Sequence, residues 1–230
     1  MKTPPDRNKV LILGASRGLG RSLLGAFGAD GHAVTAVARR FDGSDAEQAG
    51  RILTADLTHE AGLASVTADM ERADYDCIIY VAGIWERQGF ERASEQEVRG
   101  IVATNITAPL IIGQRLLALC AAMPPRRRHY FLIGSTSGLD NSGSTSCAYV
   151  ASKFALRGLT HSLREQGRPL RLHVTCLSPG SIRSDQSGQS SHPARIPPGD
   201  IYQLIRCILS LDAPTLVKEL VVPAIEDTDV

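Results

Sequence analysis

The chain has 230 residues, 43% of them hydrophobic. That suits one sizeable core, and two domains would need a linker that the sequence does not contain. With 25 Lys+Arg against 24 Asp+Glu the net charge is +1, so no global field gathers nucleic acid or an anionic membrane, and a small-molecule partner is expected.

In chain order, residues 1–8 (MKTPPDRN) read as a flexible tail with no apolar signal segment. KVLILG (9–14) reads as a buried strand, and RSLLGAFGADG (21–31) as a helix closed by glycine. HAVTAVAR (32–39) and RILTADL (51–57) follow as strands, and TADMERAD (67–74) ends a helix. YDCIIYVAG (75–83) is a strand. A helix begins near Ser94, where Ser94 and Glu97 have capping-box spacing, and runs towards Met123. RHYFLIGS (128–135) is a strand, 148–166 a helix ended by Gly167, and LRLHVTCLSPG (170–180) a strand. After a polar stretch come a helix near 199–211 and a last strand, KELVVPAI (218–225). Strands that are continuous apolar runs, alternating with helices, predict an α/β chain with helices on both faces of a parallel sheet. About seven strands are expected, doubly wound in one domain over 1–230.

In such a sheet, ligands bind beyond the carboxyl ends of the strands. At the first end stands LGASRGLGRS, where Gly14, Gly18 and Gly20 link a strand directly to a helix. Glycines there let backbone approach a pyrophosphate, which the helix N-terminal amides then hold. The context points to a Rossmann-like dinucleotide site over Gly14, Ser16, Arg17, Gly18, Leu19 and Gly20. The second strand ends in Arg39 and Arg40 rather than in the carboxylate that an NAD ribose would require; Asp42 lies beyond both and is expected to face solvent. Arg39 and Arg40, with Arg17 from the glycine turn, suit a 2′-phosphate, so the expected cofactor is NADP(H). The plainer alternative is a pair of solvated loop charges.

SCAYVASKFAL (146–156) sets Tyr149 and Lys153 four apart, on one face of a helix. Only four lysines occur in the chain, and a merely solvated face would more naturally carry arginine. A tyrosine can donate a proton to a developing alkoxide, and an ammonium one turn away favours the phenolate that this exchange leaves. Ser135 or its neighbour Ser137, at a strand end before Gly138, can hydrogen-bond the growing oxyanion. Asn105 lies mid-helix, where asparagine does not aid propensity; it is functional, or it caps a break caused by Pro109.

The Gly-x3-Gly-x-Gly spacing joined to Tyr149-x3-Lys153 resembles the short-chain dehydrogenase/reductase family, over nearly the whole chain. Further ordered matches are Asp56-Leu57, Ala82-Gly83, Asn105, Ser135 in IGSTSG, and Pro179-Gly180 with SIRS. The resemblance implies that Tyr149, Lys153, Ser135 and Asn105 are catalytic, with Ser135 rather than Ser137 in that role. The lysine would also hold the nicotinamide ribose, and the asparagine a water that passes protons towards it. Asp56, Leu57, Ala82, Gly83, Pro179, Gly180 and Ile182 would line the cofactor, and Ile84, Trp85 and Ser135 the substrate. It further implies a homodimer or homotetramer and a substrate lid over 185–198. Two positions depart from the family's pattern. Leu13 stands for the usual Thr, and Tyr80-Val81 for the usual Asn pair, which puts the bracing of the cofactor loop in question.

The expected function is NADPH-dependent reduction of a ketone or aldehyde to an alcohol; the alternative is a catalytically silent NADP(H)-sensing protein. Isomerase or epimerase work on a related fold is a third, though such chains carry a larger substrate domain. No apolar run reaches the ~20 residues of a membrane span, so no membrane partner and a cytoplasmic location are expected. Five scattered cysteines without a Cys-x-x-Cys pair read as reduced, and neither they nor the six histidines have metal-ligand spacing. Cys147 reads as buried packing rather than as a nucleophile. Arg126–Arg128 reads as a solvated loop.

Overall fold

A computed structural model describes residues 7–42, 49–139, 146–183 and 194–227. The apolar runs form seven strands: β1 (Lys9–Leu13), β2 (Ala33–Ala38), β3 (Arg51–Thr54), β4 (Cys77–Tyr80), β5 (Arg128–Ile133), β6 (Leu172–Pro179) and β7 (Glu219–Val222). They make one sheet in the order β3-β2-β1-β4-β5-β6-β7, every pair parallel. The order reverses between β1 and β4, which sets the switch point where the ends of these two strands diverge.

Among the described residues the α-helices are α1 (Gly18–Ala29), α2 (Glu60–Ala73), α3 (Glu95–Val102), α4 (Ala108–Ala122), α5 (Cys147–Gly167) and α6 (Pro198–Ser210). Both faces of β1 are buried: Leu11 and Leu13 join Leu63, Ile112 and Leu156 from α2, α4 and α5, while Val10 and Ile12 join Leu23, Phe27 and Ile205 from α1 and α6. Burial on both faces is why these strands read as unbroken apolar runs rather than as alternations. By length and composition the run Glu95–Ala122 could cross a membrane. Here it is a core helix that turns Ala108, Ile112, Leu116 and Cys120 inward.

Several local expectations change. Ser94 does cap α3, its hydroxyl accepting from the Glu97 amide at 3.2 Å. The helix, however, is not broken at Pro109. A π-helical turn, Ala103–Thr107, absorbs the missing proline donor, and Pro109 sits in the first turn of α4. Arg126–Arg128 is no solvated loop. Arg128 is 3% exposed and ion-pairs Asp74 at 2.9 Å; Arg126 pairs with Asp74 and Asp76; Arg127 donates to the Leu211 and Ile208 carbonyls at the C-terminal end of α6. The triplet therefore clasps the start of β5 to its neighbours. Residues 1–6 of the expected tail lie outside the described residues, and Asn8 is tied to β2, its carbonyl accepting from the Ala33 amide at 2.9 Å.

Candidate active site

The glycine turn is built by close approach. Gly14 has φ +100°, and a Cβ there would lie 2.6 Å from the Ala82 nitrogen; a Cβ on Gly20 would lie 2.0 Å from the Gly14 carbonyl oxygen. No other residue fits either position, so the loop after β1 lies directly against the loop after β4. The Gly14 and Ala15 amides donate to the Val37 carbonyl at 2.8 and 3.0 Å, and the Val81 and Ala82 amides to the Leu13 carbonyl at 3.0 and 2.8 Å. Backbone bonds thus brace the loop where the family's Thr and Asn pair are missing. The Leu13 side chain is buried core instead. The Tyr80 hydroxyl donates to the Thr104 carbonyl at 2.5 Å, stitching β4 to the π turn, and burial pushes that hydroxyl well above the ordinary phenol range.

Around this turn the expected residues spread as follows. Ser16 is half-buried and Arg17 exposed, while the side chains of Leu19 and Leu57 lie in the core, so only their backbone can face a ligand. Gly18, φ +52°, starts α1. Arg39 and Arg40 are exposed at the end of β2. Burial alone would push the Asp56 carboxyl up; bonds from the Thr58 amide and hydroxyl, with Arg39 and His59 near, hold it below the usual carboxylate range instead. Asp42 is exposed as expected, but its carboxylate ion-pairs Arg21 at 3.0 Å. On the far side, Pro179 ends β6 and the Gly180 amide donates to the Val222 carbonyl at 2.9 Å. Ile182 forms a bridge with Ile196.

Of the 185–198 segment expected as a lid, 185–193 lies outside the described residues. At its described end, Ile196 is bridged to Ile182 and buried, and Pro198 is the first residue of α6.

The catalytic candidates converge where α5 crosses the ends of β4 and β5. Lys153 is 6% exposed; its ammonium donates to the Ile133 carbonyl at 2.9 Å and stands 5.3 Å from the Tyr149 ring centre. Ser135 follows β5, its hydroxyl accepting from the Ser137 amide at 3.1 Å. The turn Thr136–Gly138 then packs on α5, where a Cβ on Gly138 would be 3.1 Å from that of Lys153. A Cβ on Gly83 would lie 3.7 Å from Lys153 Nζ and 3.8 Å from Asn105 Oδ1. The pairing of Tyr149 with Lys153 is therefore part of a wider cluster with Asn105, Gly83 and the Ser135 turn.

Asn105, 2% exposed, sits inside the π turn and caps nothing. Its Oδ1 accepts from the Ile84 amide at 3.0 Å, and its Nδ2 donates to the Ile84 carbonyl at 2.8 Å and to Ser152 Oγ at 2.9 Å. Ser152 in turn donates to the Tyr149 carbonyl at 2.6 Å. The side chain thus fastens the Ile84 backbone to α5. Next along, the Trp85 ring meets Tyr149 edge-on, centres 6.5 Å apart.

Sequence reasoning missed Glu86. Only 4% exposed, its Oε1 accepts from the Ala148 amide at 2.6 Å and from the Tyr149 amide at 3.4 Å. Its position carried no signal, because Ser146 already supplies an acceptable cap residue, yet the Ser146 side chain makes no capping bond. Cys147, expected to be buried, is exposed at the first position of α5. Among the described residues no group of His, Cys, Asp or Glu is arranged to hold a metal ion.

The chain is similar to several known proteins. The family model described as short chain dehydrogenase matches residues 8–194. An uncharacterized oxidoreductase of Mycobacterium tuberculosis is 30% identical over 203 residues, 83% of this chain and 79% of that protein. The 3-oxoacyl-(acyl-carrier-protein) reductase of Escherichia coli is 28% identical over 194 residues, 81% and 78% of the two chains. Among solved structures, a 4-hydroxyisoleucine dehydrogenase complexed with NADH superposes with TM-score 0.83 at 23% identity, covering 94% of this chain and 98% of that one. An alcohol dehydrogenase of Thermococcus sibiricus complexed with 5-hydroxy-NADP reaches 0.79 at 21%, covering 96% and 97%. These likenesses in structure speak for the fold; the family match and the curated relatives go further, and this chain is an oxidoreductase of the short-chain dehydrogenase family.

Proposed function

We propose that the protein is an NADPH-dependent reductase of a small ketone or aldehyde, working reversibly on the corresponding alcohol. The observation that carries this reading is Lys153: a buried ammonium with no carboxylate partner among the described residues, set against Tyr149. Burying an unpaired charge is costly, and such a group at the mouth of a ligand site marks function. The glycine cradle fits a dinucleotide, because a Cβ at Gly14 or Gly20 would close it. Gly14 to Gly20, Asp56, Ala82, Gly83, Pro179, Gly180 and Ile182 would hold that cofactor, which when bound supplies the hydride.

The chain's own groups do the rest. The Ser135 hydroxyl orients the substrate carbonyl and steadies its developing negative charge. Tyr149 gives its phenolic proton to the new alkoxide, and Lys153 stabilises the phenolate left behind. Asn105 holds the Ile84 backbone, so that Ile84 and Trp85 form a fixed substrate wall.

The test is a panel of carbonyl compounds with NADPH and with NADH, followed at the nicotinamide absorbance. Consumption of NADPH by at least one carbonyl is expected; binding of NADPH with no turnover on any would replace this reading with that of a sensor.

The preference for NADPH rests on Arg39 and Arg40 at the end of β2 and on the engagement of Asp42 by Arg21. Charge-assisted bonds contribute about 1.5–3 kcal/mol each, and 1.4 kcal/mol is tenfold. Arg39→Ala should therefore weaken NADPH by about 10- to 100-fold while NADH barely changes. Equal losses for both, in paired dissociation constants, would remove the 2′-phosphate contact.

We also assign the molecule to a dimer or tetramer acting in the cytosol. Val102, Leu110 and Phe154 are large apolar residues on α3, α4 and α5 that are 39–45% exposed, a cost that a second copy would relieve. Light scattering at micromolar concentration should give at least twice the mass of one chain; a monomer refutes it.

A further inference from the structure

We propose that Glu86 is a positioning residue: its carboxyl group ties the substrate wall Ile84–Trp85 to the first turn of α5 and thereby sets where the Tyr149 hydroxyl meets the substrate. This rests on the carbonyl-reductase reading above.

Glu86 lies 62 and 63 residues from the two amides that donate to it, those of Ala148 and Tyr149. In an ordinary helix start these second and third amides are satisfied by the cap residue itself. Here the cap is Ser146, whose side chain makes no such bond, and a group from the loop beyond β4 takes its place. Helix stability alone would need no distant acceptor, since a side chain at position 146 could supply it. What the distant acceptor adds is a link between two parts of the site. At Ile84 the loop is held by Asn105, which reaches α5 through Ser152; at Glu86 it is held directly. Trp85, between the two anchors, lies edge-on to Tyr149.

With Glu86 removed, one anchor of the wall is lost and Trp85 can move relative to Tyr149. Misplacement by about 1 Å can cost about 100-fold in rate. The cofactor cradle, built by the β1 turn, does not involve this link.

The experiment compares wild type, Glu86→Ala, Glu86→Gln and the double variant Glu86→Ala/Ser146→Asp, in which residue 146 regains its own cap. Thermal midpoint, NADPH dissociation constant, kcat/KM for an accepted carbonyl, and fluorescence anisotropy of Trp85, the only tryptophan of the chain, are measured. Glu86→Ala should lower kcat/KM by about 10- to 100-fold and lower the Trp85 anisotropy, with NADPH affinity within about twofold of wild type. Glu86→Gln keeps the length and the accepting oxygen, and should recover most of both. The double variant should regain the thermal midpoint but neither the activity nor the anisotropy.

Full recovery of activity in the double variant would make Glu86 a helix cap and nothing more, overturning the proposal. So would a Glu86→Ala protein with unchanged kcat/KM and anisotropy, or a Glu86→Gln protein as impaired as Glu86→Ala. Should Glu86→Ala not fold, the Gln variant decides: anisotropy and activity near wild type sustain the tether, and an alanine-like loss in a folded Gln protein ends it. If wild type reduces no carbonyl, the functional reading fails by itself, and the anisotropy series still decides whether Glu86 holds the wall.

Discussion

Tyr149→Phe should lower turnover by roughly 100-fold or more while leaving NADPH affinity nearly intact. The phenylalanine ring keeps the volume at the start of α5, the edge-on contact with Trp85 and the place beside the Lys153 ammonium, which is 5.3 Å from the ring centre. Only the hydroxyl is lost, and with it the proton that the new alkoxide requires. Because the helix amides are held by Glu86 and the Tyr149 carbonyl by Ser152, the backbone at this position does not depend on the side chain. The measurement is single-turnover reduction of an accepted carbonyl at saturating NADPH, beside a fluorescence titration of the cofactor. Near-native turnover in the variant would exclude Tyr149 as the proton donor.

Gly20→Ala is expected to act on the other half of the site, and nearly as strongly. The added methyl would sit 2.0 Å from the Gly14 carbonyl oxygen, 2.9 Å from its carbon and 3.1 Å from Ala15 Cα. All three are backbone, so nothing can turn aside as a long side chain would. Either α1 withdraws from the sheet or the turn opens. Overpacking costs about 1–3 kcal/mol, and contact with a rigid carbonyl belongs at the upper end. At 1.4 kcal/mol per tenfold, NADPH affinity should fall about 100-fold, since the amides of the first helical turn move with α1. The thermal midpoint should fall too. A variant that binds NADPH as wild type does would show that the turn is not the cofactor's cradle. The pair of variants separates the two halves: one loses turnover and keeps the cofactor, the other loses the cofactor first.

The amino-acid sequence by itself determined the frame of this protein. Alternating apolar runs and helical stretches specified the seven parallel strands and the helices covering them, because burial on both faces of a strand leaves a continuous apolar signature. Gly14, Gly18 and Gly20 between β1 and α1, and Tyr149 four before Lys153, were legible because their meaning depends on spacing within one turn or one helix. The tertiary structure alone decided how these parts are fastened together. Glu86 meets amides 62 and 63 residues away, Asn105 meets a backbone 21 residues away, and Tyr80 meets the π turn 24 residues away. Arg126 and Arg128, read locally as a solvated run, close on Asp74 and Asp76 some 50 residues distant. Pro109, which locally signals a break, follows a single π turn in a helix that continues because Ala108, Ile112 and Leu116 are anchored in the core. Such contacts depend on the register of whole elements against one another. A carboxylate or guanidinium carries no mark, in its own neighbourhood of the sequence, of the distant amide or carboxylate that the fold will bring to it.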